Sequence, residues 1–468
     1  MQPVIWWIRK DLRLKDNQAL EIADPENRIV IPVFIMDPNL LKREAEKRKV
    51  FLFNGLRSLD EGLQASGSRL IIRAGNPEEE LSRLMKESGA AGIFAEEDYT
   101  PYARRRDQAV AENLPLNLLA GLTFHHPRLV SKPDGSPYTV FTPYSKAWKK
   151  LPQPSAVRIE PARRFMPVPG RIQSLAIPDA IPVENFPSGE DEAERRLRDF
   201  LAGRVSDYRE DRNRLDMDGT SSLSPYFRFG MLSSRHAVLS VMDVIRNVPN
   251  SNARAGAETW LNELIWREFY QSILYHFPDV SRKAFRADLR GIEWNHASEK
   301  FSAWKSGATG YPVVDASMRQ LATLGWMHNR GRMITASFLV KDLLVNWQEG
   351  EEWFMRQLID GDPASNNGGW QWTAGVGTDA APYFRIFNPV LQGKKFDPEG
   401  TFIREWIPEL ANVAQRYIHE PWTMPVEEQR KAGCVVGKHY PLPVVDHIQA
   451  RERTLEAYKR SKDVLSGS

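Results

Sequence analysis

Between residues 3 and 125 short, nearly uninterrupted apolar runs alternate with amphipathic stretches: VIWWI (4 to 8), RIVIPVFIM (28 to 36), RLIIRA (69 to 74) and GIFAE (92 to 96). Strands apolar on both faces, with helices between them, predict a parallel, doubly wound sheet. Residues 126 to 190 break that pattern with twelve prolines, at 127, 133, 137, 143, 152, 154, 161, 167, 169, 178, 182 and 187. The segment keeps the aromatics Phe141, Tyr144 and Trp148, so it reads as a long connection wrapped over a surface rather than a flexible tether. From about residue 191 the periodicity becomes helical. The expected fold class is therefore α/β plus all-α: a Rossmann-like domain over 1–126, a linker over 127–190 and an all-helical domain over 191–468.

Composition narrows the class. A chain of 468 residues exceeds one ordinary core, which supports two domains. Apolar residues make up 42% and charged residues 26%, as in a globular protein rather than a disordered one. Cys434 stands alone, which excludes an internal disulfide or a cysteine-based zinc cage and predicts a reducing compartment. The opening MQPVIWWIRKDLRLKD becomes charged too early for a signal peptide, and later apolar runs are too short to cross a bilayer. The expectation is a cytoplasmic protein without a membrane partner. A net charge of +3 says little about nucleic acid, which needs only a local basic surface.

Five stretches carry candidate chemistry. After the first strand, WWIRKDLRLKDN sets Arg9, Asp11, Arg13, Asp16 and Asn17 where open α/β sheets place ligands, although a solvated helix start would look the same; no GxGxxG follows, so the usual dinucleotide fingerprint is absent. Tyr208 and then GTSSLSPYFRFG (219 to 230) gather hydroxyls and glycines around a helix start, suited to phosphate but also to an ordinary N-cap. AETWLNELIWREFYQ (257 to 271) predicts a helix with Trp260, Glu263, Trp266, Arg267 and Tyr270 along one face and Leu261, Leu264 and Ile265 supplying the core stripe. GWMHNRGRMITASFLVKDLLVNW (325 to 347) puts Asn329 and Met333 one helical turn apart, beside Arg330 and Arg332.

The densest stretch is DGDPASNNGGWQWTAGVGTDAAPYFRIFNP (360 to 389), with carboxylates, paired amides, two indoles and many glycines. It reads as a loop in which backbone approaches a flat ligand closely, or as a Gly/Asn/Pro loop whose tryptophans anchor a core. NNGGWQW followed by TDAAPYFRIFNP resembles the flavin loop of the DNA photolyase and cryptochrome family, and WWIRKDLRLKDN resembles that family's first motif. The resemblance covers essentially the whole chain and is nearest to bacterial class I cyclobutane pyrimidine dimer (CPD) photolyases.

That resemblance implies an enzyme, a deoxyribodipyrimidine photo-lyase with reduced FAD (FADH−), acting by light-driven electron transfer on a dimer flipped out of UV-damaged DNA. It implies FAD contacts from Tyr208, Thr220, Ser221, Ser222, Leu223, Ser224, Trp260, Arg332, Asp360, Gly361, Asp362 and Asn366, with Asn366 beside flavin N5 and Arg332 paired with Asp360. It gives the lesion pocket Glu263, Trp266, Asn329, Met333 and Trp372, with Asn366 counted among the catalytic residues. Trp370, Trp347 and Trp294 match the family's electron-hopping chain, although each singly would serve as a core anchor. Arg212, Arg267, Arg330, Arg385 and Lys394 would hold DNA phosphates. The order His328, Asn329 follows the cyclobutane branch rather than the six-four branch.

An antenna chromophore is implied in the first domain. Asp98, closing GIFAEED before YTPYARRRD, and Lys49 resemble the 8-hydroxy-5-deazaflavin binders, while Asp98 as a cap of the helix near Pro101 is the plain alternative. Tyr102 and Ala103 stand where folate binders carry an Asn-Glu pair, which disfavours methenyltetrahydrofolate and leaves FMN or an empty pocket as the other choices. The rival readings are a cryptochrome photoreceptor without repair, which would usually append a long tail beyond a position such as Ser468, and a flavin-free DNA-binding descendant, which would have lost Asp360, Asn366 or the 220 to 224 loop. The expected state is a monomer with no metal.

Overall fold

The computed structural model describes residues 2–23, 29–154, 165–248, 250–296 and 299–466. Arg28, at the start of the second predicted strand, and linker positions 155–164 lie outside the described residues. The chain forms two compact units, one from Met1–Arg209, Ser221–Pro278 and Ile359–Asp362, the other from Glu210–Thr220, Asp279–Leu358 and Pro363–Ser468.

The first unit holds a five-stranded sheet, β1 (Val4–Ile8), β2 (Val30–Met36), β3 (Ile71–Ala74), β4 (Ile93–Glu96) and β5 (Leu116–Leu119), ordered β3-β2-β1-β4-β5 with parallel pairing throughout. β1 is buried along its whole length because it lies at the centre of the sheet, and Ile5, Trp7, Ile31, Val33, Ile71 and Ile93 share one core cluster. The helices punctuating the strands have clear stops. Asn76 caps Pro77–Ser88 by accepting from the Glu78 N–H, and Gly89 ends it at φ 70°, a left-handed conformation that glycine adopts without steric cost. β5 was not anticipated: LNLL is half exposed and sits at the sheet edge, so it lacks the apolar signature of the inner strands.

The proline-rich stretch is more ordered than its composition suggests, since Phe141–Trp148 is a helix with Tyr144 and Trp148 buried. It is fastened to the long helix Ser251–His276 by Glu268, whose carboxylate accepts from the backbone N–H groups of Phe124 and His125 and from Trp148 Nε1 at 2.7 Å. Burial pushes the Glu268 carboxyl up to about 7, against those hydrogen bonds.

The second unit is helical around a tryptophan-rich core that includes Trp304, Trp347, Trp370, Phe338 and Phe354. The helix Asn329–Ser337 runs into a single π turn, Phe338–Asp342, which the C-terminal helix His447–Ser466 grips: His447 Nδ1 lies 2.6 Å from Asp342 Oδ1, and Arg453 donates to Asp342 O.

The expectation of a loop through NNGGWQW is corrected here. Pro363–Ala374 is an α-helix, opened by a proline at the position where a missing N–H is tolerated. Its two central glycines would favour coil in isolation. Side-chain ties to its neighbours override that preference: Asn366 Nδ2 donates to Glu351 O, Asn367 Nδ2 to Glu351 Oε1 and Val280 O, and Gln371 Nε2 to Val280 O, all at 2.9 to 3.0 Å. The partner helix Trp347–Gln357 carries Gly350 at the crossing, where a Cβ would run into the Trp370 ring.

Candidate functional site

Within the first unit, the loop after β1, which the sequence left open between a ligand position and a solvated helix start, is an internal ionic network. Asp11 is fully buried and accepts from Trp6 Nε1 (2.9 Å) and Arg9 N (2.8 Å). Arg9 pairs with Asp107 at 2.6 Å, Arg13 pairs with Glu96, and Asp16 pairs with Arg235 and Ser233. Burial pushes Glu96 up to about 7, opposed chiefly by Arg13. These charges hold β1 to β4 and to the neighbouring helices.

Around the hydroxyl-rich turn, the helix begins at Ser224 as expected, and Ser222 adopts φ 51°, a conformation that costs a non-glycine residue strain. Trp260 is buried against Phe200 (ring centroids 5.1 Å) and its Nε1 reaches Ser221 Oγ at 3.4 Å; Tyr208 packs edge-on to the same Phe200. Trp260 thus faces the core, while Glu263, Trp266, Arg267 and Tyr270 lie half-buried. Asp360, Gly361 and Asp362 belong to this unit: Arg228 Nε donates to Gly361 O at 2.7 Å, and Gln271 Nε2 to Asp362 Oδ1 at 3.0 Å. Burial pushes Arg48 down to about 9, together with Arg228 and Arg43 and opposed by Asp360, so two guanidinium groups missed in the sequence, Arg48 and Arg228, flank this acidic segment.

Trp266 has a partner that sequence reasoning passed over. Phe141 stacks on it with centroids 3.7 Å apart and planes within 4°. The only hint was an aromatic retained inside a proline-rich stretch. Arg267, placed among the phosphate contacts, is engaged inward: Nη1 donates to Leu122 O and to Ser234 Oγ at 3.0 Å, and burial lowers its pKa. A guanidinium whose donors serve the interior is a poor phosphate clamp, so Arg267 leaves the DNA set.

At the strand ends, Asp98 is not the cap of Pro101–Asn113. Thr100 is that cap, and Asp98 accepts from Thr100 N at 3.0 Å and pairs with Lys10 at 3.0 Å. Burial works to raise the Asp98 pKa, but Lys10, the Thr100 N–H and Arg106 hold it well below the usual carboxylate range. Lys49, on the helix Glu46–Ala65, pairs with Glu46 at 2.8 Å.

Within the second unit, Asn329 and Met333 meet as their spacing required, with Asn329 Nδ2 3.7 Å from Met333 Sδ. His328 caps the helix by accepting from Arg330 N, and burial with the charges of Arg330, Arg332 and Arg212 pushes it down to about 4, so it is neutral near pH 7. Burial, with Arg212 and Arg385, likewise pushes Arg330 down to about 10, so both of those guanidinium groups lie near enough to Arg330 to repel it. Arg330 also donates to Asn213 Oδ1 and covers the Phe396 ring at 4.3 Å. Arg385 is exposed, with the Phe387 ring 5.9 Å from its guanidinium. Lys394 stands in an ion pair with Glu420 at 2.5 Å. Arg332 Nε donates to Met327 O, and Thr220 falls in this unit.

Trp370 and Trp347 are buried in one core cluster and Trp294 packs, partly exposed, on the same cluster, with Tyr458 edge-on to it at 6.0 Å. Trp372, two residues along the helix from Trp370, is half-buried. Asn366 has its amide nitrogen fixed on Glu351 O at 3.0 Å, and its Oδ1 accepts no hydrogen bond from the described residues. An oriented, open carbonyl fits a ligand that presents an N–H, as a reduced flavin does at N5, so the residues present fit FAD.

Two family models match the chain: DNA photolyase over residues 4–162 and the FAD binding domain of DNA photolyase over residues 260–460. The deoxyribodipyrimidine photo-lyase of Alkalihalophilus pseudofirmus is 40% identical over 97% of both chains, and that of Escherichia coli 39% over 97% of this chain and 98% of its own. The chain belongs to the DNA photolyase family. Among solved structures of the family, a bacterial class III photolyase from Agrobacterium tumefaciens superposes with a TM-score of 0.90 at 36% identity, covering 99% of this chain and 98% of that one. A cryptochrome from Synechocystis superposes at 0.88 with 30% identity, covering 98% and 99%. The family's architecture, an α/β N-terminal domain and a helical FAD domain, is the one described above. No described helix is long and apolar enough to cross a membrane.

Proposed function

We infer that this chain is a deoxyribodipyrimidine photo-lyase that binds FAD and reverses cyclobutane pyrimidine dimers in UV-damaged DNA under light. The observation that carries the reading is the full-length match to photo-lyases at 40% identity. Bound in its reduced form, FAD would supply the light-driven electron donation that splitting a cyclobutane ring requires.

The protein's own residues hold and orient. Tyr208, Thr220 to Ser224, Trp260, Arg332 and Asp360 to Asp362 bind the dinucleotide, and Asn366 accepts from it through the carbonyl that the fold leaves open. Glu263 hydrogen-bonds the carbonyl and imide edge of the flipped dimer, Asn329 and Met333 face its damaged bases, and Trp266 and Trp372 replace the stacking lost on flipping, about 1–3 kcal/mol per base. Phe141, stacked on Trp266, stiffens that wall. Arg212, Arg330 and Arg385 engage phosphates; Lys394 joins them by exchanging Glu420 for the backbone. Trp294, Trp347 and Trp370 carry electrons inward for photoreduction. An antenna, 8-hydroxy-5-deazaflavin, sits in the 1–126 domain near Asp98 and Lys49, with 127–190 as the connection and 191–468 as the catalytic domain. The protein works as a cytoplasmic monomer.

The test compares dimer loss from oligothymidine in illuminated and dark samples of fully reduced protein. Repair only in the light is expected, and equal dimer content would instead favour the photoreceptor reading suggested by the cryptochrome fold match. Glu263→Ala keeps the flavin and most DNA affinity while lowering the repair yield per photon.

A further inference from the structure

Glu351 is a half-buried carboxyl with no part in the ligand contacts assigned above. It sits on the helix Trp347–Gln357, one turn after Trp347, and meets the helix Pro363–Ala374 through two different groups. Its backbone carbonyl takes Asn366 Nδ2 and its Oε1 takes Asn367 Nδ2, both at 3.0 Å. Asn367 Oδ1 in turn accepts from Gln371 Nε2 at 3.0 Å while its Nδ2 also donates to Val280 O, and Gln371 Oε1 accepts from Phe285 N at 2.9 Å. Each amide in this chain therefore has only one favourable orientation. A flipped Asn367 would set its carbonyl against two acceptors, and a flipped Asn366 would set oxygen against oxygen.

We propose that Glu351 is a positioning residue for the flavin: by fixing Asn367 through its carboxyl and Asn366 through its carbonyl, it leaves the Asn366 Oδ1 as the outward-facing acceptor. The inference rests on the FAD reading of Asn366. A neutral carboxyl suits the role, because an ionised one would place an unpaired negative charge beside a site that holds a reduced, anionic flavin. Burial pushes Glu351 up to about 7, with the Asn367 hydrogen bond pulling the other way. No charge opposes that rise. Pro363–Ala374 has no titratable side chain, and in the π turn packed on Trp347–Gln357, Lys341 is engaged with Ala374 O and the Tyr458 ring while Asp342 is engaged with His447. The sign follows. A carboxyl whose folded pKa exceeds its ordinary value of 4.5 contributes stability fully below about pH 4.5 and loses it as pH rises through about 7.

The experiment uses the FAD-loaded protein as wild type, Glu351→Gln and Glu351→Leu, recording bound flavin absorbance, the thermal midpoint and the flavin midpoint potential from pH 5 to 9. Glu351→Gln keeps the acceptor and stays neutral, so it retains FAD and loses the break near pH 7 that wild type shows in potential against pH. Glu351→Leu removes the acceptor, shifts the potential at every pH and weakens FAD retention. A break that survives in Glu351→Gln, or a Glu351→Leu potential equal to wild type with only a lowered thermal midpoint, overturns the proposal and leaves Glu351 a packing residue. Wild-type protein that takes up no FAD overturns the flavin reading itself, and the proposal with it.

Discussion

The charged loop after β1 and the amide helix Pro363–Ala374 are both polar, largely buried and matched to the same family, yet they do opposite things with their hydrogen-bonding capacity. In the first, Arg9, Arg13, Asp11 and Asp16 each find a partner of the same unit. In the second, a clamp of equal care stops one atom short and leaves Asn366 Oδ1 open. A network whose charges pair within it stabilises a fold, even with Arg9 Nε and Glu96 Oε2 left over; an acceptor held in one direction and left accessible suits recognition. The arginines divide the same way, with Arg267 turned inward and Arg385 exposed.

The comparison breaks most visibly at Arg13. Arg13→Ala strands the buried Glu96 carboxylate, and loss of one partner of a buried pair costs about 3–5 kcal/mol, read as a lowered denaturation midpoint in urea. Repair per folded molecule should stay at the wild-type level; a specific loss of repair without loss of stability would make the loop functional after all. Next is Gly350→Ala, whose Cβ meets the Trp370 ring and should cost about 1–3 kcal/mol through overpacking, with a changed tryptophan signal in near-UV circular dichroism. An unchanged midpoint would show that the two helices have room to part. The smallest effect belongs to Arg385→Ala, which should leave the midpoint alone and reduce the log-log salt slope of damaged-DNA binding by about 0.9, measured by fluorescence anisotropy. An unaltered slope would remove Arg385 from the interface.

Sequence pattern exposed the inner strands because burial on both faces writes an unbroken apolar run, and it missed β5 because an edge strand half in water writes none. The Asn329 to Met333 pairing was legible from helical spacing alone. The helix through NNGGWQW was not, since its stability comes from Glu351 and Val280, distant in sequence, and local glycine propensity points the other way. For the same reason the loop after β1 looked like a ligand site: the residues that neutralise it, Glu96, Asp107 and Arg235, lie far along the chain. Phe141 lay in view inside a proline-rich stretch, but nothing local announces that it will stack on Trp266.

The way the chain is threaded has a consequence for its birth. The first unit is assembled from three separate stretches, the last of which is Ile359–Asp362. At about 5–20 residues per second of synthesis, that piece emerges roughly 20 to 70 s after initiation. Until then the nascent sheet and its flanking helices lack the DGD segment that Arg228 and Gln271 grasp, so no truncation upstream of residue 362 can yield the finished unit, and a single cut between two independently folding halves does not exist.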